Sequence, residues 1–470
     1  MTPSPIVPTG RTAVIVLAAG LGTRMRSRLP KVLHTLCGRP MLAYVLDAWS
    51  EPGPAAAALS PIVVYSPATA SICDTDLPGS PVFARQDEPR GTADAVRAGL
   101  TAVPDDVADV LVLSGDVPLI KHGQLHALLD QRRLDDAAIA LASVFAALPG
   151  ELGRVVRSEF GNVERIVEAR DASADELETN EVNAGCYAFD AAWLRRRIGS
   201  VKPSATTGEL YLTELVRLAR EDGRIVSAVG FDDDGTFDGI NDRAQLAQSE
   251  WALRVRRNEA HMRAGVTMRD PSTVYLDWAV TLAADVTIEP DVRLRGRTSV
   301  AEGSTIGPGT TIIDSTIGRD CTVWASVVEG SSVDDGVRIG PFSHLRRGTH
   351  VGTGAEIGNF AELKNTDLGA GVKQHHVSYL GDATLGDRTN VGAGTITANW
   401  DGRTKNRTVV GADAFLGVDT MLVAPIEIGE GARTGAGAVV TKPVPPGKLA
   451  VGVPARVREP RPRPDEPGSE

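Results

Sequence analysis

Aromatic residues are sparse. Phe, Trp and Tyr make up 4% of 470 residues, while glycine alone occurs 49 times. That excludes a conventional packed core throughout and calls for a half that is turn-rich or repetitive. Cysteine is scarce too: Cys37, Cys73, Cys186 and Cys321 lie far apart, with no CxxC pair. Neither a disulfide framework nor a cysteine zinc site is indicated, and a reducing cytosol fits best. Positive charge does not dominate. The formal net charge is −11, from 49 basic and 60 acidic residues, which argues against nucleic acid as the main partner. Long apolar runs are missing as well. The first, Ala13 to Ala19, is too short for a membrane span and lacks a signal-peptide layout. No membrane partner and a cytoplasmic location are therefore expected.

The length predicts two or three domains, and two kinds of patterning are visible. Up to about residue 240, strand-like runs ("TAVIVLAAG", "PIVVY", "ADVLVLSGD") alternate with helix-like ones ("RPMLAYVLDAWS", "GTADAVRAGLTAV"). Such alternation predicts an α/β domain with a mainly parallel sheet under helices, its ligands at the carboxyl ends of strands. "SEPGPAAAALSP" reads as a surface connection. Residues 242–264 contain no Pro or Gly and predict one long, partly exposed helix.

Beyond about residue 265 a six-residue beat takes over. Val333, Ile339, Leu345, Val351, Ile357 and Leu363 recur without a break; Leu385, Val391 and Thr397 follow, then Val410, Leu416, Leu422, Ile428, Thr434 and Val440. One inward aliphatic per hexad marks a parallel β-helix, here of roughly eight coils. Two segments interrupt the beat: "KQHHVSY" (373–379) and the polar "ANWDGRTKNR" (398–407). Irregular segments on a rigid scaffold are where function concentrates. The Pro-rich, charged tail 458–470 is expected to be disordered.

The loop "LAAGLGTRMRSRLPK" (17–31) lacks the GxxxxGK[ST] of a P-loop. It also fails the dinucleotide pattern GxGxxG, because Met25 takes the third glycine's place. It does match LxxGxGTRxxxxxPK, the sugar-nucleotidyltransferase signature, through Leu17, Gly20, Gly22, Thr23, Arg24, Pro30 and Lys31. The chemistry suits such a loop. Negative charge builds on phosphoryl oxygens during nucleotidyl transfer, so catalysis is mostly positioning and electrostatic stabilisation, with Arg24 and Lys31 as the cations.

With this loop, the hexads and the two interruptions in that order, residues 11–455 resemble the bacterial bifunctional UDP-N-acetylglucosamine pyrophosphorylase/glucosamine-1-phosphate N-acetyltransferase family. The resemblance implies a pyrophosphorylase domain of Rossmann-like mixed sheet (1–241), a helical linker (242–264) and a left-handed β-helix acetyltransferase domain (265–457). Glucosamine-1-phosphate would be acetylated from acetyl-CoA, and the N-acetylglucosamine-1-phosphate coupled to UTP with release of pyrophosphate, supplying cell-wall synthesis. In the first domain it implies that Leu17, Ala18, Ala19, Gly20 and Lys31 contact the uridine nucleotide. Gln86, Gly91 and Thr92 would read uracil, and Asp116 with Asn241 would bind Mg2+. Gly153, Glu168 and Asn183 would hold the N-acetylglucosamine moiety.

In the second domain the resemblance makes His376 the base of acetyl transfer, a role suited to imidazole near neutral pH. The adjacent His375 carries no implied role. Arg346, Lys364, Tyr379, Asn390 and Lys405 would bind the sugar phosphate. Ala393, Asn399, Trp400, Val418 and Ala436 would contact acetyl-CoA. The family commonly has Tyr at position 400 and Ser at 418, and often Arg near 453; this chain has Trp400, Val418 and Val453. A homotrimer is implied, as for other β-helix acyltransferases. Two alternatives stand beside this reading: a sugar-nucleotide pyrophosphorylase whose β-helix is a structural scaffold, and a non-catalytic sugar-nucleotide sensor. The polar interruptions bearing His376, Asn399 and Lys405 argue against the first; the combination of Arg24, Lys31 and Asp116 argues against the second.

Overall fold

The computed structural model describes residues 10–50 and 59–459, in two compact units, Met1–Leu253 and Arg254–Glu470. Most of the 50–61 connection and the tail from residue 460 lie outside the described residues.

The first unit is built on a nine-stranded mixed sheet. Its main path runs Val226–Phe231, Ile139–Phe145, Glu181–Asp190, Val107–Ser114, Arg11–Leu17, Ile62–Tyr65, Val82–Arg85. Only Glu181–Asp190 runs antiparallel to its neighbours on this path. The run Ala13–Val16 is buried throughout because helices cover both faces. Alternate residues feed alternate layers. Val14 and Val16 pack with the helices Met41–Ser50 and His122–Leu134. Ala13 and Ile15 pack with Thr92–Leu100, Ala191–Arg197 and Glu214–Glu221. The carboxyl ends of the parallel strands converge near Leu17, Tyr65, Arg85 and Ser114, and the glycine loop leaves from the first of them. Its exit is fixed by Ala18 N–H donating to Val64 O (2.9 Å) and Gly115 N–H donating to Leu17 O (2.9 Å).

The predicted long helix spans Arg243–Arg263. Its carboxyl half belongs to the second unit, where buried Asn258 donates to the carbonyls of Pro271 (2.8 Å) and Val274 (3.1 Å). From Thr267 the chain winds into a left-handed parallel β-helix whose three sheets have 12, 10 and 9 strands. The shortest sheet sets nine complete coils, and the bridge Ile428–Val444 closes a tenth. This exceeds the eight expected from the hexads. The six-residue beat in fact begins earlier, at Leu276, Leu282, Ile288, Leu294, Val300, Ile306 and Ile312. It is then broken by five-residue steps among Ile312, Ile317, Val323, Val328 and Val333, yet these are all buried in the prism.

The first interruption is also reassigned. "KQHHVSY" does not break the coil: Gln374, fully buried, takes the inward place six residues from both Leu368 and Leu380. Its Nε2 donates to Ser378 Oγ at 2.7 Å. The second segment does protrude, as a small hairpin closed by the bridge Trp400–Lys405, with Asp401 accepting from the N–H groups of Arg403 (2.8 Å) and Thr404 (2.7 Å).

Candidate functional site

In the first unit, Gly22 adopts a left-handed φ of 57°, and a Cβ there would lie 2.6 Å from Lys31 Cβ. The glycine therefore lets the loop close over the Lys31 stem. Lys31 Nζ donates to the Asp116 carboxylate and to Asn241 Oδ1 (3.1 Å). The segment bearing Asn241 is pinned there by Ile240 N–H donating to Asp116 O at 2.9 Å. Lys31, Asp116 and Asn241, drawn from three parts of the chain, thus meet at one point. Arg24 is not part of this contact. It pairs with Glu151 at 3.2 Å and lines, with Asn241, Phe237 and Trp251, an open cleft of about 1030 Å³.

Asp116 and Asn241 also line a neighbouring cavity of about 430 Å³, together with Gly153, Glu168 and Asn183. Asn183 N–H donates to Gly153 O (2.8 Å), and its side-chain amide donates to Tyr187 Oη (2.6 Å). Burial pushes the Glu168 carboxyl above its ordinary range, although Thr213 Oγ1 donates to it at 2.9 Å. Gln86, Gly91 and Thr92 cluster at the carboxyl end of Val82–Arg85. Gln86 is buried there, and Thr92 Oγ1 accepts from Leu212 N–H at 2.9 Å. Ala18 and Ala19 are buried, whereas Gly20 is exposed and a Cβ there would meet nothing within 4 Å.

The oxygens of Asp116 and Asn241 fit Mg2+. They are hard donors, they converge on one cationic nitrogen, and Mg2+ is commonly held by one or two carboxylates with the rest of its shell from water and phosphate. Among the described residues no group of three His, Cys, Asp or Glu gathers as a fuller metal cage.

In the second unit, Arg346 and Lys364 stand in register on adjacent strands, each just after an inward leucine. Lys405, from the protruding hairpin, reaches the same place. A hydrogen bond with Lys405, together with the charges of Lys405 and Arg346, pushes the Lys364 ammonium below its usual range. Three cations side by side make an anion site. Asp382 anchors it. Its Oδ1 accepts from Asn365 Nδ2 (2.6 Å) and its Oδ2 from Asn399 Nδ2 (2.6 Å). Burial raises the Asp382 pKa, but these hydrogen bonds and the two lysines more than offset it and hold the carboxyl below the usual range. Tyr379 completes the group. A Cβ at Gly381 would overlap Tyr379 Oη and lie 2.7 Å from Asn399 Nδ2.

His376 sits at the corner that follows inward Gln374, two residues on. Ala393, Val418 and Ala436 hold the same position after inward Val391, Leu416 and Thr434. Backbone bonds stack this corner coil on coil: Gly394 N–H to Val377 O (2.7 Å), Asp419 N–H to Ala393 O (2.6 Å) and Gly437 N–H to Val418 O (2.8 Å). The implied base and three of the implied acetyl-CoA residues therefore form one column. No side chain among the described residues hydrogen-bonds the His376 ring, whereas His375 Nε2 is 2.8 Å from Glu356 Oε2. Asn390 is not with the cations. It lies on another sheet, in register with Lys373 and Phe415. Trp400 and Val453 are exposed.

Several supporting residues escaped the sequence reading: Asp94, Thr213, Gln374, Gly381 and Asp382. Only Gln374 leaves a local signal, as a polar residue on the hexad beat between Leu368 and Leu380.

No helix among the described residues is long and apolar enough to cross a membrane. Residues 14–168 match the model of the MobA-like NTP transferase domain. The chain is 45% identical over 450 residues to the bifunctional protein GlmU of Rhodococcus opacus (strain B4), covering 94% of this chain and 89% of that protein. It is 46% identical over 449 residues to that of Rhodococcus jostii (strain RHA1), with the same coverage. Against that of Mycobacterium tuberculosis (strain ATCC 25177 / H37Ra) it is 42% identical over 450 residues, covering 94% and 90%. With two units whose candidate sites follow one another along the chain, and with likeness running through both, the chain belongs to the GlmU family of bifunctional proteins.

Proposed function

We propose that the two units catalyse consecutive steps on one amino sugar, each through the side chains gathered at its own site. As a GlmU-type enzyme the protein is both an acetyltransferase and a uridylyltransferase, using acetyl-CoA and Mg2+. In the β-helix unit, Arg346, Lys364 and Lys405 hold the phosphate of glucosamine-1-phosphate, with Tyr379 beside them. The amine attacks the thioester carbonyl of acetyl-CoA, His376 accepts the proton, and CoA leaves as the thiol after protonation. CoA lies along the column Ala393, Val418, Ala436, with Asn399 and Trp400 at its hairpin end.

In the α/β unit, Gly153, Glu168 and Asn183 hold the acetylated sugar, and Leu17–Gly20 with Gln86, Gly91 and Thr92 hold the uridine nucleotide. A phosphate oxygen of the sugar attacks the α-phosphorus of UTP, and pyrophosphate leaves. Lys31 and Arg24 neutralise the developing charge. Asp116 and Asn241 would hold Mg2+, which when bound supplies charge neutralisation at the phosphates.

The observation that carries this function is the meeting of Lys31 with Asp116 and Asn241 beside the cavity that contains Glu168 and Asn183. A reaction lacking one component at a time tests it. Glucosamine-1-phosphate with acetyl-CoA releases CoA, and adding UTP and Mg2+ then releases pyrophosphate. Absence of CoA release would favour the scaffold role for the β-helix. A homotrimer is part of the proposal. The exposed, stacked pair Phe342 and Phe360 (5.6 Å) supports it as an apolar surface, and light scattering on the full chain measures it.

A further inference from the structure

Gln86 is 3% exposed, and its amide is tied on one side only. Nε2 donates to Asp94 Oδ2 (2.9 Å) and to Gly91 O (3.3 Å). Oε1 has no partner among the described residues. Asp94 is itself 6% exposed. Its other oxygen accepts from Arg90 (2.9 Å) and Arg97 (2.5 Å). Two neighbouring guanidinium groups keep this carboxyl ionised, and an ionised carboxylate only accepts. Gly91 O also only accepts. Both contacts on this side therefore demand the NH2 end of the Gln86 amide, and an amide flip would set oxygen against oxygen. The end left open is a carbonyl. It lies at the carboxyl ends of parallel strands, where ligands of such sheets bind.

We propose that Asp94 is a positioning residue that locks the Gln86 amide carbonyl-outward and so makes the base site select uracil over cytosine. Uracil presents N3–H, a donor that a carbonyl accepts. Cytosine presents an unprotonated N3, which a carbonyl repels and an NH2 group would satisfy. The inference rests on Gln86 facing the base, as in the proposed function. It adds what sets the hydrogen-bonding sense of that contact.

The test compares pyrophosphate release from UTP and from CTP by the full chain with N-acetylglucosamine-1-phosphate. Asp94→Asn gives position 94 an NH2 group of its own and frees Gln86 to turn. The ratio of kcat/KM for UTP to that for CTP is expected to fall about tenfold or more. Asp94→Thr, whose hydroxyl donates or accepts, is expected to lower it too and serves as the second variant. Arg97→Met keeps the lock and is expected to keep the ratio. Folded Asp94 variants with the unaltered ratio would overturn the proposal, provided Gln86→Leu loses discrimination. If Gln86→Leu also keeps the ratio, the placement of Gln86 at the base fails instead.

Discussion

Lys31 Nζ donates to Asn241 Oδ1 at 3.1 Å across 210 residues of sequence, and the same nitrogen donates to Asp116. The contact ties the glycine loop to two oxygen donors, so one charge change there should reach uridyl transfer and nothing in the β-helix unit. Asp116→Ala is expected to lower pyrophosphate release by roughly two to three orders of magnitude. Release of CoA from acetyl-CoA should stay at the unaltered rate. Loss of both in a folded variant would count against separate sites.

His376→Ala addresses the other half. Removing a general base typically costs about 10²–10⁴ in rate. Acetyl transfer, followed by the free thiol of CoA, is expected to fall by that much while pyrophosphate release from UTP, with N-acetylglucosamine-1-phosphate as the acceptor, is unaltered. His375→Ala, by contrast, breaks a pair with Glu356 and should leave acetyl transfer within about threefold.

Gly381→Ala is a more local probe. The new methyl would overlap Tyr379 Oη and fall 2.7 Å from Asn399 Nδ2, so both side chains must move. A misplacement of about 1 Å can cost about 10²-fold. The expected result is a large fall in acetyl-transfer kcat/KM for glucosamine-1-phosphate, with uridyl transfer intact.

Glu168 gives a pH signature. Its folded pKa is raised by burial above the ordinary 4.5, with Thr213 opposing. Between those two values the folded chain binds more protons than the unfolded one, so stability falls as pH rises through that window. Glu168→Gln removes the dependence. The Tm of the parent minus that of the variant should therefore drop as pH rises from the ordinary 4.5 through the raised folded value. A difference that rises with pH would mean that Glu168 is stabilised as the anion.

Gln374→Leu separates stability from activity. Gln374 Oε1 is buried and unpaired, while Ser378 Oγ keeps a second bond, to His376 O at 2.9 Å. Filling the inward place with leucine is expected to stabilise the β-helix by about 1–3 kcal/mol. Acetyl transfer should fall, because the turn that presents His376 loses its Gln374–Ser378 anchor. Thermal melts and CoA release measure the two effects on one sample.

The β-helix was legible where six-residue steps run unbroken, from Val333 to Leu363, because each step returns an aliphatic to the same inward column. It was illegible from Ile312 to Val333, where five-residue steps scramble the period, and at Gln374, where a hydrogen-bonded amide substitutes for a methyl group. At the sites, charged residues in signature positions such as Lys31 and Asp116 stood out. Their meeting with Asn241 did not, because it depends on how loops pair across the sheet. Asp94, Thr213 and Asp382 left no mark in the sequence, since each acts by holding another side chain.

The column His376, Ala393, Val418, Ala436 is a ruler. Neighbouring parallel strands lie about 4.8 Å apart, so its marks are spaced by roughly that distance. A linear acyl carrier laid along it is measured in whole coils. Inserting or deleting one coil below His376 would move the far end of the carrier by a single graduation and leave the reacting end in place. Matching a longer or shorter carrier would then require only duplication or loss of a repeat, with no redesign of the corner that holds His376.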